Sequence, residues 1–378
     1  MDLTASLSPP VATTRAAAGA RAWLPASGLL AGTLITLVGL TWDVEWHDDV
    51  GPDTFFTLPH LFLYTGSAIA GLVSLVVVLS TTAAQRAGRP VDEAVGGRAV
   101  GVFGRTFAAP VGYLVAGTGG ALFLLYGLWD LWWHSLYGFD AVIDSPPHIG
   151  LLLSVMVTMV GTVMVFAAAR SHRWGVFGTL ASVAVLLSFS SVTVLGLSDV
   201  DTAVNAVTIG MTFLSVMLIL VARGFLGRPG GALGAAVLLG AWQAFSWWFS
   251  PWAAHAYAAA VGLPLRDNVD DLASMPALMP MCLVGAALLA ELVLWATSRR
   301  GSAPRWAGAL AGAVAGFVVA GAQPFQDAWL YETGVPAAGQ LLATAGVGAS
   351  FGLLGGYLGW RFGGMLRLLA PAREKETV

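Results

Sequence analysis

Stretches of about twenty apolar residues recur down the whole chain, and no other feature limits its fold so strongly. Ten stand out, near 26–46, 58–80, 110–134, 147–169, 174–196, 204–223, 231–250, 275–297, 304–325 and 337–360. A helix of ~20 residues crosses the hydrocarbon core of a bilayer. Backbone polar groups in lipid must be satisfied internally, which leaves helices or closed barrels, and these runs are too long and too little alternating for barrel strands. The expectation is an all-α, polytopic integral membrane helical bundle of about ten transmembrane helices, built from helical hairpins. Charge agrees with this. Only 10% of the 378 residues are Asp, Glu, Lys or Arg, where a soluble domain carries about 25%.

The few charges are sorted by side. With a cytoplasmic N-terminus, 17 of the 18 basic residues fall on inner segments, and only Arg266 lies outside. The positive-inside rule then predicts an even number of spans with both termini cytoplasmic, in a plasma membrane of bacterial type. Acidic residues gather at the opposite ends, among them Asp43, Glu45, Asp48, Asp49, Asp53, Asp130, Asp140, Asp144, Asp327 and Glu332. Nothing in this pattern calls for a nucleic-acid partner; the lipid bilayer is the partner it implies. The single cysteine, Cys282, excludes an intrachain disulfide framework or a cysteine-built metal site. The N-terminus has no signal-peptide pattern, so the first apolar run reads as a retained span. The organisation read from this is an N-terminal segment (1–25), a first region (26–169), further spans (170–362) and a polar tail (363–378).

The first region repeats itself. "WDVEWHDDVGPDTFFTLPH" (Trp42–His60) and "WDLWWHSLYGFDAVIDSPPH" (Trp129–His148) align with eight identities and one extra residue in the second loop. The identities are Trp42/Trp129, Asp43/Asp130, Trp46/Trp133, His47/His134, Gly51/Gly138, Asp53/Asp140, Pro59/Pro147 and His60/His148. Each unit holds two spans, so the repeat is parallel and both motifs lie at one depth, on the extracytoplasmic side. Asp and His four apart share one helix face. The second histidine follows a proline at the start of the next helix, where proline is tolerated. Each hairpin therefore gathers one carboxylate and two imidazoles, a metal-binding set: Asp43, His47 and His60, then Asp130, His134 and His148. Asp53, Asp140, Trp46, Trp133 and His255 are the candidates for supporting residues around these ligands. The bland readings are an interfacial belt for Trp42, Trp46, Trp129, Trp132 and Trp133, and solvated charges for Glu45, Asp48, Asp49 and Asp144.

The spacings Asp-x3-His-x12-His and Asp-x3-His-x13-His resemble those of the C subunit of the copper membrane monooxygenases, the particulate methane and ammonia enzymes. That subunit carries two neighbouring copper sites, Asp-x3-His-x12-His and then Asn-x3-His-x13-His. The resemblance implies copper at both sets, an oxidoreductase using dioxygen, and a small apolar substrate. It covers only about 42–148. Asp130 stands where the family has Asn, and the added carboxylate shifts that site toward iron or zinc. Partner subunits and a homo-oligomer both stay open.

Two rival readings remain at this level. One is a copper or zinc transfer protein, which needs ligands through the membrane. The other is a structural or sensory bundle held by Asp–His pairs. Later segments resemble worn copies of the hairpin, with His255 and Asp327 in comparable places. Met275, Met279 and Met281 are packing residues or thioethers for copper, and Glu291 is a proton relay or a helix-contact carboxylate.

Overall fold

The structure, a computed structural model, describes residues 11–51, 53–138, 145–267, 269, 272–299, 301, 304 and 306–371. Asp140, Asp144, Asp270, Asp271, Arg300, Arg305, Arg373 and Lys375 lie outside the described residues.

Among the described residues, ten helical segments are long and apolar enough to cross a bilayer. They are α1 (Val11–Asp49), α2 (Leu58–Arg86), α3 (Val111–Tyr137), α4 (Pro146–Ala168), α5 (Arg173–Thr193), α6 (Ala206–Leu226), α7 (Gly231–Val261), a broken span of α8 (Ser274–Leu278) and α9 (Leu283–Ser298), α10 (Ala307–Leu330) and α11 (Ala338–Leu366). The all-helical bundle expected from the sequence is the fold found. The central elements are α5 and α6, the most buried spans.

The repeat extends beyond its motifs into the packing. A Cβ added at Gly32 of α1 would lie 2.8 Å from the Gly66 carbonyl and 3.0 Å from the Ala70 nitrogen of α2. A Cβ at Gly119 of α3 would meet the Ser154 carbonyl at 2.6 Å and the Thr158 nitrogen at 2.5 Å, on α4. Gly32 and Gly119 occupy corresponding positions of the two copies, as do Gly66 and Ser154, and Ala70 and Thr158. Both hairpins are thus antiparallel pairs closed at one small residue. The motif ends of α1, α2, α3 and α4 therefore sit at the same end of the bundle.

Three features depart from the expected outline. The long polar segment between the copies is partly structured: Ala99–Val102 (β1) and Phe107–Pro110 (β2) form an antiparallel ribbon. Thr82 on α2 holds it, its hydroxyl accepting the Ala108 N–H at 2.9 Å. The seventh span does not stop near residue 250 but continues through Pro251 to Val261. Alanine-rich sequence favours helix there, and Ala253, Ala254 and Ala258 bury against the bundle. The eighth span is broken between α8 and α9. Gln243 of α7 and Gln326 of α10 satisfy the freed carbonyls, both donating to Met279 O at 3.0 Å, with further bonds to Pro276 O and Ala277 O. Such breaks survive at membrane depth only when protein groups replace the lost bonds.

At the other end of the bundle Glu291 accepts Arg223 Nε at 2.8 Å and the N–H groups of Gly230 and Ala232 at 3.0 Å, capping the start of α7. It is the helix-contact carboxylate of the two alternatives, not a free relay. Both partners are buried. Glu291→Ala strands a buried guanidinium and should cost about 3–5 kcal/mol, read as a lowered unfolding temperature in detergent. Arg223→Met/Glu291→Leu should recover most of the loss.

Candidate metal centres

The last two turns of α1 divide their polar residues between two faces, because side chains two apart on a helix point in nearly opposite directions. Asp43 and His47 turn toward α2. Glu45 and Asp49 turn toward α7 and α8.

On the first face, Asp43, His47, Asp53 and His60 each offer one ligand atom, all within 4.8 Å of one another. His60 Nε2 lies 3.1 Å from Asp43 Oδ1 and 3.2 Å from Asp53 Oδ2, and His47 Nε2 lies 3.7 Å from Asp53 Oδ2. In the second copy Asp130, His134 and His148 meet the same criterion. Asp130 Oδ1 is 3.2 Å from His134 Nε2 and 3.3 Å from His148 Nε2. All six expected ligands are therefore gathered in two groups. Asp53, expected only as a supporting residue, stands among the donors of the first.

Local structure aims these groups. Gly51 and Gly138 end the motif helices with φ +122° and +83°, conformations that favour glycine. In the first loop Thr57 Oγ1 accepts the Thr54 N–H at 2.7 Å and donates to Thr54 O at 2.8 Å. The turn so fixed presents Thr54 O to His60, whose Nδ1–H donates to it at 3.0 Å. In the second, His134 Nδ1–H donates to Gly138 O at 3.0 Å. Each ring is thus anchored through Nδ1 and turns Nε2 toward a carboxylate oxygen, the orientation in which metal-bound histidines present that nitrogen.

The separations discriminate between a proton and a metal. Charge-assisted N–H···O bonds span about 2.7–2.9 Å. Ligands at ~2.1 Å from one metal stand roughly 3.0–3.4 Å apart along the edge of its coordination polyhedron. Four of the five cluster distances fall in the second range, and the His47–Asp53 pair at 3.7 Å lies beyond both. A contrast lies on the opposite face of α1, where His255 Nε2 and Asp49 Oδ2 approach to 2.6 Å, a direct hydrogen bond. In the first cluster Asp43 Oδ1 and both Asp53 oxygens are buried and receive no hydrogen bond among the described residues. Burial pushes the Asp53 carboxyl above its ordinary value, against the pull of His60 and His47. A divalent cation would remove that cost and displace protons as it bound, so metal retention should weaken as pH falls through the imidazole range. Equilibrium dialysis at pH 8 and pH 5 checks this.

Several expectations are corrected. Glu45 is fully buried, not solvated, and accepts the Ser274 N–H at 3.0 Å. Asp49 is buried with His255, so His255 serves that pair and not a ligand cluster. Trp46 is 1% exposed and packs on Tyr257 at 4.9 Å, and Trp42 packs among Phe62, Phe249 and Tyr257. Neither is a belt residue, because α7 covers them. Their counterparts Trp129 and Trp132 are exposed as a belt requires, and Trp133 stacks on Tyr137 at 4.5 Å. Met275 and Met279 are buried in the core, accepting Thr41 and Ser188 hydroxyls, which is packing. The sequence reading passed over Tyr64, one turn beyond His60. Its phenol lies within electrostatic reach of Asp130, Asp43 and Asp53, carboxylates of both clusters. Its one available signal was a polar side chain on the face of α2 that bears His60.

In comparisons with known proteins, no family model matches the chain, and no curated protein or solved structure is significantly similar to it.

Proposed function

We propose that the chain is a membrane metalloprotein of monooxygenase type, with copper at two Asp/His clusters near the extracytoplasmic face of a bacterial-type plasma membrane. The observation that carries this is the facing of Nδ1-anchored imidazoles and buried carboxylates at coordination spacing, twice, at one end of the bundle. The resemblance of the spacings to the copper membrane monooxygenases favours copper. The two carboxylates in the first cluster would equally suit iron or zinc. The sorting of basic residues supports the sidedness and the cytoplasmic termini.

Bound copper would supply dioxygen activation. The chain's own residues do the rest. Asp43, Asp53 and Asp130 provide negative charge, and the Thr54 and Gly138 carbonyls hold the His60 and His134 rings in orientation. Insertion of one oxygen atom into a C–H bond, with the other leaving as water, takes two electrons and two protons, which a membrane-soluble reductant would bring. The transfer reading loses support because Met275 and Met279 are core residues and Glu291 is locked to Arg223. Among the described residues, no ladder of ligands then leads away from the clusters.

The test is purification without chelator and elemental mass spectrometry, followed by oxygen uptake with a quinol reductant. Copper with reductant- and substrate-dependent uptake supports the reading. Tightly held iron or zinc overturns the choice of copper. Metal without uptake overturns the oxygenase assignment and leaves a binding protein.

A further inference from the structure

A cavity of about 890 Å³ runs along the seam between the two copies, where α2 faces α3. It starts at Phe55 and Tyr64 beside the clusters and ends at Val102 and Phe103 of the β-ribbon. From Tyr64 to Val78 is roughly 21 Å of helix, longer than the ~15 Å of one bilayer leaflet. Its floor is made of small residues. The two helices approach at Gly71 and Gly120, where an added Cβ would stand 3.0 Å from the Gly71 Cα. Its rim leucines, Leu72, Leu75, Leu124 and Leu128, are half or more exposed on the membrane face. Two of the lining hydroxyls are satisfied within their own helices, Ser74 and Thr118 donating to the carbonyls of Ala70 and Leu114.

The groove does not follow from the repeat itself. The next seam, between α4 and α5, is shut where Gly178 lies against Phe166 and Gly175 against Ala169. Tyr64 is also special to this seam, since its counterpart in the second copy is Leu152. Its ring lies 6.0 Å from His60 and 6.2 Å from Phe123. An apolar groove open at its side therefore ends at Tyr64, beside His60 and within electrostatic reach of the carboxylates of both clusters.

We infer that this groove binds a single long unbranched hydrocarbon chain, entering sideways from the bilayer, with one end held beneath Tyr64 and the clusters. A gas needs no cavity of this size. Spread over about 21–27 Å of helix, the 890 Å³ leaves a cross-section of roughly 40 Å². That admits one extended chain with room to spare and is about half that of a helix ~10 Å across, so a partner's transmembrane helix is the poorer fit. The binding claim stands on the groove alone. Only the assignment of the chain as substrate rests on the oxygenase reading, and it replaces a small or gaseous substrate with a long-chain one.

The experiment uses the full chain, metal-loaded, in phosphatidylcholine nanodiscs with a hexadecanol probe carrying a terminal diazirine. Irradiation should place the label mainly on α2 and α3 groove residues, and excess hexadecane should reduce it at least tenfold. Ala68→Phe/Ala121→Phe fills the groove at two exposed lining positions, neither of them a metal ligand. It should abolish competable labelling while leaving metal content unchanged. Label spread evenly over all lipid-facing helices, labelling that survives the filled groove, or a copurifying polypeptide cross-linked in the groove would each overturn the inference. Competable groove labelling in a protein that holds no metal would sustain it while sinking the metal reading. Labelling in a metal-loaded protein inert toward long-chain substrates would sink only the oxygenase assignment.

Discussion

Asp43→Ala/His60→Ala should remove about half of the bound metal and leave the protein folded, and Asp130→Ala/His148→Ala should remove the other half. The argument is one of separate construction. Each ligand set is carried by its own antiparallel hairpin, α1 with α2 and α3 with α4, closed at Gly32 and Gly119 far from the ligands. Neither set borrows a ligand from the other among the described residues. The first variant removes one buried carboxylate oxygen that has no donor, Asp43 Oδ1, but leaves Asp53 without the His60 ring that stood 3.2 Å from it, so its apoprotein should gain no stability, since buried unpaired carboxylates are costly. A subtler change probes the support of the ligands. Thr57→Val cuts both side-chain bonds that fix Thr54 and so frees the carbonyl that orients His60. Loss of such support typically lowers metal affinity by 10–100-fold, readable by chelator competition. If either double variant lost all metal, the two sets would form one shared centre. If both kept full metal content while folded, neither cluster would be the site.

How far this could be read beforehand differs by residue. The six ligands were legible because the chain writes them twice, at a spacing that only a helix end, a short loop and a second helix end can bring together. Asp53 was expected only as a support and stands within the first cluster, a placement the sequence leaves open because loop residues carry no periodicity to aim them. Glu45 and Asp49 were misread as solvated for a different reason. One sequence shows that they share a helix face, but not that α7 runs eleven residues past its expected end to cover that face. The same extension buries Trp42 and Trp46 while Trp129 stays exposed, so two identical residues of a repeat have different environments. Repeats fix local geometry, whereas burial is decided by whichever later element packs on top.

A second large effect, on folding, is expected far from the Asp/His clusters, at Gly356. Helices α10 and α11 meet along Gly308, Gly312 and Gly316 on one side and Gly348, Gly352 and Gly356 on the other. A Cβ at Gly356 would stand 2.6 Å from the Gly312 Cα and 3.0 Å from its nitrogen. These neighbours are backbone and cannot swing aside. The opposite edge of α11 is equally close, Gly355 lying 2.9 Å by the same measure from the Phe213 carbonyl of α6. The helix is therefore clamped on both sides and cannot retreat from either. Lipid gives no hydrophobic drive to hold helices together once close packing is lost. Gly356→Leu should thus reach or exceed the upper end of the ~1–3 kcal/mol typical of overpacking and sharply reduce the yield of folded protein. Gly346→Leu and Gly364→Leu are the controls, on the same helix with open space around the added Cβ, and both should behave as wild type. A wild-type thermal midpoint for Gly356→Leu would mean that the α10–α11 contact contributes little, whereas equal damage from all three would point to glycine's backbone freedom and not to close approach.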